Sequence, residues 1–336
     1  MRLGIDIGGT KTAAVAIGDD GALSDQVRMP TGFGADAVVD TALRTVERMS
    51  QLAGVDARAF RSIGIGIPGS VDSATGRVAH AVNLGLEGLD LGPQLADRLG
   101  VDVRIENDVN AAALGAHHLL GLADGTRAHS MAYLNLGTGL AAGIVLDGHL
   151  LRGRRGVAGE IGHIPVDPAG AACPCGQRGC LETVASGSAL AALWPGTDRH
   201  PSLELFDRAD AGDPAALAVR ERFLTGVASA VRLLALTTDV DDIVIGGGLA
   251  ALGERLLAGT RRVLSGWAAD SAFLASLDLA PRVQVIPRGF PAAAVGAALV
   301  GDEPGRPAPR AAEESVAGTR AGRLADAEEV PAWPRS

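Results

Sequence analysis

Four side chains near the middle of the chain carry the sharpest chemical signal. His163 closes the segment Gly159-Glu160-Ile161-Gly162-His163, and Cys173, Cys175 and Cys180 follow within Cys173-Pro174-Cys175-Gly176-Gln177-Arg178-Gly179-Cys180-Leu181-Glu182. Three thiolates and one imidazole form the closed ligand set of structural zinc. Gly176 and Gly179 allow the sharp turns that wrap a chain around a metal. The chain has 3 cysteines. An odd, tightly clustered set predicts a metal site in a reducing compartment rather than a disulfide framework. With one ring nitrogen on the metal, His163 keeps the other for a substrate.

Two further constellations suit phosphate and proton chemistry. In Asp6-Ile7-Gly8-Gly9-Thr10-Lys11, two glycines let the backbone approach a phosphate, Thr10 adds a hydroxyl donor and Lys11 a charge. Asp6 is suited to hold Mg²⁺ or one of its waters. The same segment also reads as a plain hairpin turn. At Glu106-Asn107-Asp108-Val109-Asn110 a strand ends in carboxylates and amides where a helix begins. One such residue suffices as a cap; a second carboxylate at a strand end is placed to accept a proton from a hydroxyl. A third segment, Gly64-Ile65-Gly66-Ile67-Pro68-Gly69, satisfies G-x-G-x-x-G, but a dinucleotide site needs a helix to open inside the motif. Here Pro68 and Ser70-Val71-Asp72 predict a strand running into a loop.

These groups need elements to hold them. Arg2–Gly21 and Met131–Gly148 share a plan: an apolar strand ending in Asp6 or Asn135, a Gly/Thr turn, a second apolar strand, and an Asp-Gly turn. The likeness fits either a common apolar hairpin or two halves of a duplicated architecture, whose glycine turns would face each other across a cleft. Helical spacing marks 36–52 and 107–120, then 188–193, 201–208 and 214–236. Strands are expected at 61–67, 101–105, 242–245 and 283–286, and a small-residue helix at 292–300. Alternation of strands and helices indicates an α/β protein. From 301 to 336 the composition turns to proline, acids, arginine and alanine without apolar periodicity, as expected of a solvated, disordered tail.

The 336 residues are 47% hydrophobic and 21% charged, which excludes a disordered or collagen-like body and leaves room for a large core. With 30 basic against 39 acidic residues the net charge is −9, so no general attraction to nucleic acid is expected. Lys11 is the single lysine. The longest uncharged run, 130–146, contains Asn135 and several glycines and is too short to span a bilayer. No apolar leader precedes the first glycine turn. The expectation is a cytoplasmic protein with no membrane and no nucleic-acid partner.

DIGGTK at 6–11, the Asn107-Asp108 pair, GEIGH at 159–163 and CPCGQRGCLE at 173–182 together resemble the ROK family of sugar kinases and repressors, over roughly residues 2–300. The resemblance implies the two-domain actin-like ATPase (hexokinase and ribonuclease H-like) fold with a cleft between domains. Residues 1–118 would form the smaller domain, with the 289–300 helix packing back on it, and 119–288 the larger one with the zinc loop. It implies ATP-dependent phosphorylation of a hexose 6-hydroxyl, glucose first, with Asp108 as general base. Gly69, Asn83, Asn107, Glu160, His163 and Glu182 would hold the sugar. Asp6, Gly8, Gly9, Thr10 and Lys11 would form one phosphate loop and Gly137, Thr138 and Gly139 the second, with Gly247 and Gly248 near the adenosine. His163, Cys173, Cys175 and Cys180 would bind structural Zn²⁺. Partners would be Mg²⁺-ATP, the sugar, and a second or fourth copy of the chain in a homodimer or homotetramer.

Three departures from the family pattern stand out: fewer glycines at 137–143, Ala116 where relatives carry Glu, and no tryptophan at 83–87. The last weakens glucose in favour of mannose, N-acetylglucosamine, N-acetylmannosamine, fructose or allose. Polyphosphate is the alternative donor, without an evident basic track to bind it. A sugar-sensing regulator without kinase activity is the alternative from another class, but the phosphate loop begins at residue 6 and leaves no room before it for a DNA-reading helix.

Overall fold

In the computed structural model, which describes residues 1–124, 130–196 and 201–301, the chain builds the same sheet twice. The first half runs β1 (Arg2–Ile7), β2 (Lys11–Ile17), β3 (Val27–Pro30), α1 (Ala35–Ala53), β4 (Ser62–Ile67), β5 (Ser70–Asp72), β6 (Arg77–Ala81), β7 (Leu86–Asp90), α2 (Leu91–Leu99), β8 (Val103–Asn107) and α3 (Asp108–Asp124). The second runs β9 (Met131–Leu136), β10 (Leu140–Leu146), β11 (His149–Leu150), α4 (Glu182–Ala185), α5 (Gly187–Leu193), α6 (Pro201–Asp210), α7 (Pro214–Thr238), β12 (Asp242–Gly246), α8 (Glu254–Asp270), α9 (Ala272–Ser276), α10 (Leu279–Arg282), β13 (Val283–Val285) and α11 (Ala292–Val300).

The first sheet is ordered β3-β2-β1-β4-β8 and the second β11-β10-β9-β12-β13. In each, the first three strands pair antiparallel and the last two join parallel. The duplication extends to single residues. Asp6 pairs with Gly66 across a parallel ladder, and Asn135 pairs with Gly246 at the matching place. The two polar strand ends anticipated from sequence are therefore equivalent positions. The central strands have both faces covered: Leu3, Ile5, Ile7, Ile63, Ile65 and Ile67 are fully buried on one face, and Gly4 and Gly64 lie against the 292–300 helix on the other, as a parallel sheet flanked by helices requires.

α11 explains its own composition. A Cβ on Gly4 or Gly64 would collide with the carbonyls of Ala294 and Ala297, and one on Gly115 or Gly296 with those of Ala292 and Ala111. Backbone thus lies against backbone where α11 crosses β1, β4 and α3. Only a helix of alanine, glycine and valine fits so close an approach.

Two features differ from expectation, each for a local reason. β8 runs on to Asn107 because its ladder with β4 continues to the Ile67–Asn107 pair, so α3 opens at Asp108. The G-x-G-x-x-G segment is β4 followed by the turn into β5, with no helix inside it, as Pro68 predicted. A small antiparallel sheet, β5-β6-β7, and α2 were not anticipated: their strands are short and half exposed, with weak alternation. The disordered reading of 302–336 lies outside the described residues. Among the described residues no helix is long and apolar enough to cross a membrane.

Candidate active site

The junction between β8 and α3 is capped by Asn107. Asn107 Oδ1 accepts the backbone N–H groups of Val109 at 3.0 Å and Asn110 at 3.2 Å, which is the work of an N-cap. Its Nδ2 donates to the Gly69 carbonyl at 3.2 Å, tying the helix start to the β4–β5 turn. Glu106 is buried, and its Oε1 accepts the Asn107 N–H at 3.0 Å and the Asn110 side-chain amide at 2.9 Å. With the cap supplied by Asn107, the Asp108 carboxylate is left to face the cleft.

Asp6 and Asp108 line one wall of a cavity of about 370 Å³, and Tyr133, Asn135, Gly247 and Gly248 line it from the second half. Burial pushes the Asp6 carboxyl up to about 7, reinforced by the charge of Asp108. Burial also raises Asp108 above the ordinary carboxylate range; the Val109 N–H and its own N–H oppose the rise, and the charge of Glu160 adds to it. Like charges held together out of water favour the protonated form. Opposite them, Tyr133 is pushed up to about 12, mainly by burial. Its hydroxyl accepts the Gly247 N–H at 3.2 Å.

The triple glycine after β12 has a separate reason at each step. A side chain on Gly246 would strike the Tyr133 ring, and Gly247 has a φ of 78° close against Asn135 and Leu136. Gly248 has open space where its side chain would be, and it is exposed on the cavity wall.

The two glycine hairpins sit at equivalent ends of the two sheets. In the first, the Gly8 N–H donates to the Lys11 carbonyl at 3.0 Å, and Gly9, Thr10 and Lys11 are exposed. Gly9 lies against Asn83. In the second, the Gly137 N–H donates to the Gly139 carbonyl at 3.1 Å, and the start of α5 donates from Gly187 and Ser188 to the carbonyls of Gly137 and Thr138. Glu182 Oε2 accepts the Leu140 N–H at 2.9 Å, so this carboxylate joins the cysteine loop to the second hairpin. The 370 Å³ cavity thus gathers Asp6, Asp108, Gly247 and Gly248, while the two hairpin turns are not part of its wall.

His163, Cys173, Cys175 and Cys180 come together from a single excursion between β11 and α4, their ligand atoms all within 4.8 Å of one another. Cys175 and Cys180 sulfurs are 3.7 Å apart, and Cys173 Sγ lies 3.8 Å from His163 Nδ1. A tetrahedron with metal–sulfur bonds of about 2.3 Å has edges of about 3.8 Å, so the four donors fit a tetrahedral ion. Pairing between Pro165 and Cys180 and between Ala172 and Arg178 pins the loop. His163 presents Nδ1 to the sulfurs, which leaves Nε2 outside the ligand set.

The geometry has its counterpart in known proteins. The family model of the ROK family matches residues 2–300. The chain belongs to the ROK family. The duplicated sheet is the actin-like ATPase fold of ROK hexokinases and glucokinases. The glucokinase of Halalkalibacterium halodurans is 35% identical over 274 residues, covering 76% of this chain and 82% of its own. The N-acetylmannosamine kinase of Citrobacter koseri is 33% identical over 267 residues, covering 78% and 88%. Among solved structures, the ROK family glucokinase from Streptomyces griseus in complex with glucose and AMPPNP matches with a TM-score of 0.71 at 31% identity, over 89% of this chain and 98% of that one.

Reasoning from sequence left out Tyr133, Asn135 and Arg288, all on the cavity wall, and the ion pair of Arg152 with Glu106. Tyr133 carried one usable signal: it is the single tyrosine of the chain, as Lys11 is the single lysine. Asn135 was visible as the partner of Asp6 in the repeat, without a role attached. Arg152 and Arg288 stand among 29 arginines and nothing in the sequence separates them.

Proposed function

We propose that this ROK protein is an ATP-dependent sugar kinase that phosphorylates the 6-hydroxyl of a hexose, glucose first, with Asp108 as general base. The observation that carries the reading is the pair of half-buried carboxylates, Asp6 and Asp108, both raised by desolvation, on a cavity that Gly247 and Gly248 also line. A base raised toward neutral pH by burial is suited to take a proton from an alcohol. The Streptomyces griseus relative, whose complex contains glucose and AMPPNP, supports ATP as donor and glucose as acceptor. The N-acetylmannosamine kinase relative keeps N-acetylhexosamines among the acceptors.

Phosphoryl transfer depends on positioning and charge neutralisation more than on covalent chemistry. The chain divides that work between its halves. Gly8 and Gly137 close the two hairpin turns with their own N–H groups, and Gly9, Thr10 and Lys11 from one and Thr138 and Gly139 from the other offer donors to the phosphates. Gly247 and Gly248 leave room for the adenosine. Asn107 and the Gly69 turn, with Asn83, Glu160, His163 Nε2 and Glu182, hold the sugar so that its 6-hydroxyl meets the Asp108 carboxylate. As the 6-oxygen bonds to the γ-phosphorus of ATP, the bond from that phosphorus to the β,γ-bridging oxygen breaks, ADP leaves with the electron pair, and the hydroxyl proton passes to Asp108. We take residues 1–118 with 289–300 and residues 119–288 as the bodies that close on the substrates, which excludes water as a competing acceptor.

Asp6 would hold Mg²⁺, which supplies charge neutralisation at the phosphates when bound. Two carboxylates on one cavity, near enough that the charge of Asp108 raises Asp6, suit that ion. Zinc on His163, Cys173, Cys175 and Cys180 would supply no chemistry; it would fix the His163 ring and keep Glu182 in register.

The test is an ADP-release assay with Mg-ATP across hexoses, N-acetylhexosamines and ketoses, run beside Asp108→Asn. We expect one sugar with a clearly superior kcat/KM, and a loss of roughly 10²–10⁴-fold in kcat for Asp108→Asn while sugar binding by calorimetry survives. Near-normal turnover by Asp108→Asn removes the base assignment. Silence of the wild-type protein across the panel removes the kinase.

A further inference from the structure

Resting on the kinase reading, we propose that Glu106 and Arg152 are positioning residues for phosphoryl transfer: a buried ion pair that locks the helix start carrying Asp108 to the loop carrying Glu160. Neither residue belongs to the sugar, phosphate or zinc sets described above.

Glu106 sits on β8 beside Gly66, which in turn pairs with Asp6 on β1. It is 2% exposed. A carboxylate so far out of water needs partners for both oxygens, and here each partner has a consequence. Oε1 holds the Asn107 N–H and the Asn110 side chain, the residues on either side of Asp108 and Val109. Oε2 accepts from Arg152 Nε at 2.6 Å. Arg152 comes from the other half of the chain, just after β11, and its guanidinium is itself largely buried.

Arg152 begins the segment that leads to Gly159 and Glu160. Its carbonyl accepts the Ala158 N–H at 3.4 Å, closing that segment into a loop, and the Glu160 N–H is held on the Val157 carbonyl at 3.3 Å. The Gly159 carbonyl fastens the loop to β10 by accepting the Ala142 N–H at 2.8 Å. One end of the ion pair therefore sets the base, and the other sets the segment that presents Glu160. A base and a substrate-holding group on different halves must keep a fixed spacing, because a misplacement near 1 Å costs about 10²-fold in rate. Arginine, planar and always charged, is the side chain suited to that task.

The pair also balances charge around Asp108. Glu160 from the loop raises that carboxylate, and the charge of Asp108 acts in turn on Asp6 from β1 and Tyr133 from β9. Glu106 adds a further negative group two residues away, and Arg152 offsets it. Removing either member should move the base in opposite directions. Arg152→Met leaves an uncompensated carboxylate, so the acid limb of the kcat/KM profile moves to higher pH. Glu106→Gln leaves an uncompensated guanidinium, so the limb moves to lower pH.

The experiment measures kcat, both KM values and the pH profile for wild type, Arg152→Met, Glu106→Gln, Arg152→Lys and the Glu106→Gln/Arg152→Met double variant, with melting temperature and zinc content of each. We expect kcat to fall roughly 10- to 100-fold in the first two, KM for ATP to stay within about twofold, and the two acid limbs to move apart. Arg152→Lys should restore the limb but not the full kcat. The double variant removes both buried charges and keeps the test open where a single variant fails to fold: its limb should return to the wild-type position with kcat still low. Folded variants with wild-type kcat and unmoved limbs overturn the proposal, as do limbs that move in the same direction. Titration of the Asp108 carboxyl by carbon-13 NMR separates this from the kinase reading. If wild type turns over no sugar, opposite shifts of Asp108 in the two single variants still uphold the link to the base, and unchanged titration refutes it.

Discussion

Asp6→Asn should make the protein more stable above neutral pH while abolishing turnover. Asp6 moves from its ordinary 3.8 to about 7 in the fold because of burial and the adjacent charge of Asp108. A carboxyl whose pKa is raised by folding binds its proton more tightly in the native state. Its favourable contribution is complete below pH 3.8 and is lost as pH rises to about 7. The gap, at about 1.4 kcal/mol per pH unit, sets a ceiling of about 4 kcal/mol for the cost of holding Asp6 ionised at pH 8. Asp6 is half-buried rather than sealed, and water relaxing around it reduces the figure to about 1–2 kcal/mol. Asparagine keeps the shape and removes the charge, so it recovers that amount at pH 8 and almost none at pH 4. Urea denaturation of both proteins at pH 4, 6 and 8, without nucleotide, reads the difference directly. An Asp6→Asn protein that is equally stable at pH 8, or whose gain is the same at pH 4, refutes the reasoning. The complementary loss of turnover follows if the carboxylate is kept in this unfavourable place to meet a cation and phosphates.

Cys175→Ser should lower metal content and melting temperature together, since structural zinc contributes folding energy; elemental analysis beside calorimetry checks both, and unchanged melting in a metal-free protein contradicts the structural role. Gly296→Ala should destabilise the protein by about 3 kcal/mol or more, because its new methyl group meets the Ala111 carbonyl and α11 must lift from α3; chemical denaturation gives the value, and a neutral substitution would mean the helices are not in backbone contact. Tyr133→Phe removes the acceptor of the Gly247 N–H and should raise KM for ATP about fivefold, the equivalent of about 1 kcal/mol, with little change in sugar KM; an equal rise in both would place Tyr133 elsewhere in the mechanism.

Much of the architecture was legible because the chain states it twice. The Asp6 and Asn135 hairpins announced two matching sheets, and the structure aligns them residue for residue through Gly66 and Gly246. The grouping of His163 with Cys173, Cys175 and Cys180 was legible because cysteine is scarce and the clustering is local. What stayed hidden depends on long-range meeting. Arg152 and Glu106 are 46 residues apart, and either alone reads as a solvated charge. The end of β8 was misplaced by two residues because Glu106 and Asn107 look like helix-start residues, whereas the ladder to β4 holds them in the sheet. The β5-β6-β7 sheet escaped because strands of three to five half-exposed residues carry too little alternation to register. Whether the cap at this junction was Asn107 or Asp108 was open in sequence; Asn107 makes two of the cap bonds, and the base role of Asp108 is the proposal above.

The fit of α11 against Gly4 and Gly64 has a consequence for how the chain is born. Nearly all of the second sheet and its helices lie between residues 131 and 285, so that half can assemble from consecutive sequence as it leaves the ribosome. The first half cannot. β1 and β4 are made early, but the helix that covers them is the last one described, more than two hundred residues later. At about 5–20 residues per second, the face carrying Gly4 and Gly64 waits on the order of 10–50 s for its cover. During that wait the earliest-made strands are the least finished part of the molecule, and the alanine-rich helix at 292–300 becomes the closing step of folding as well as a packing element.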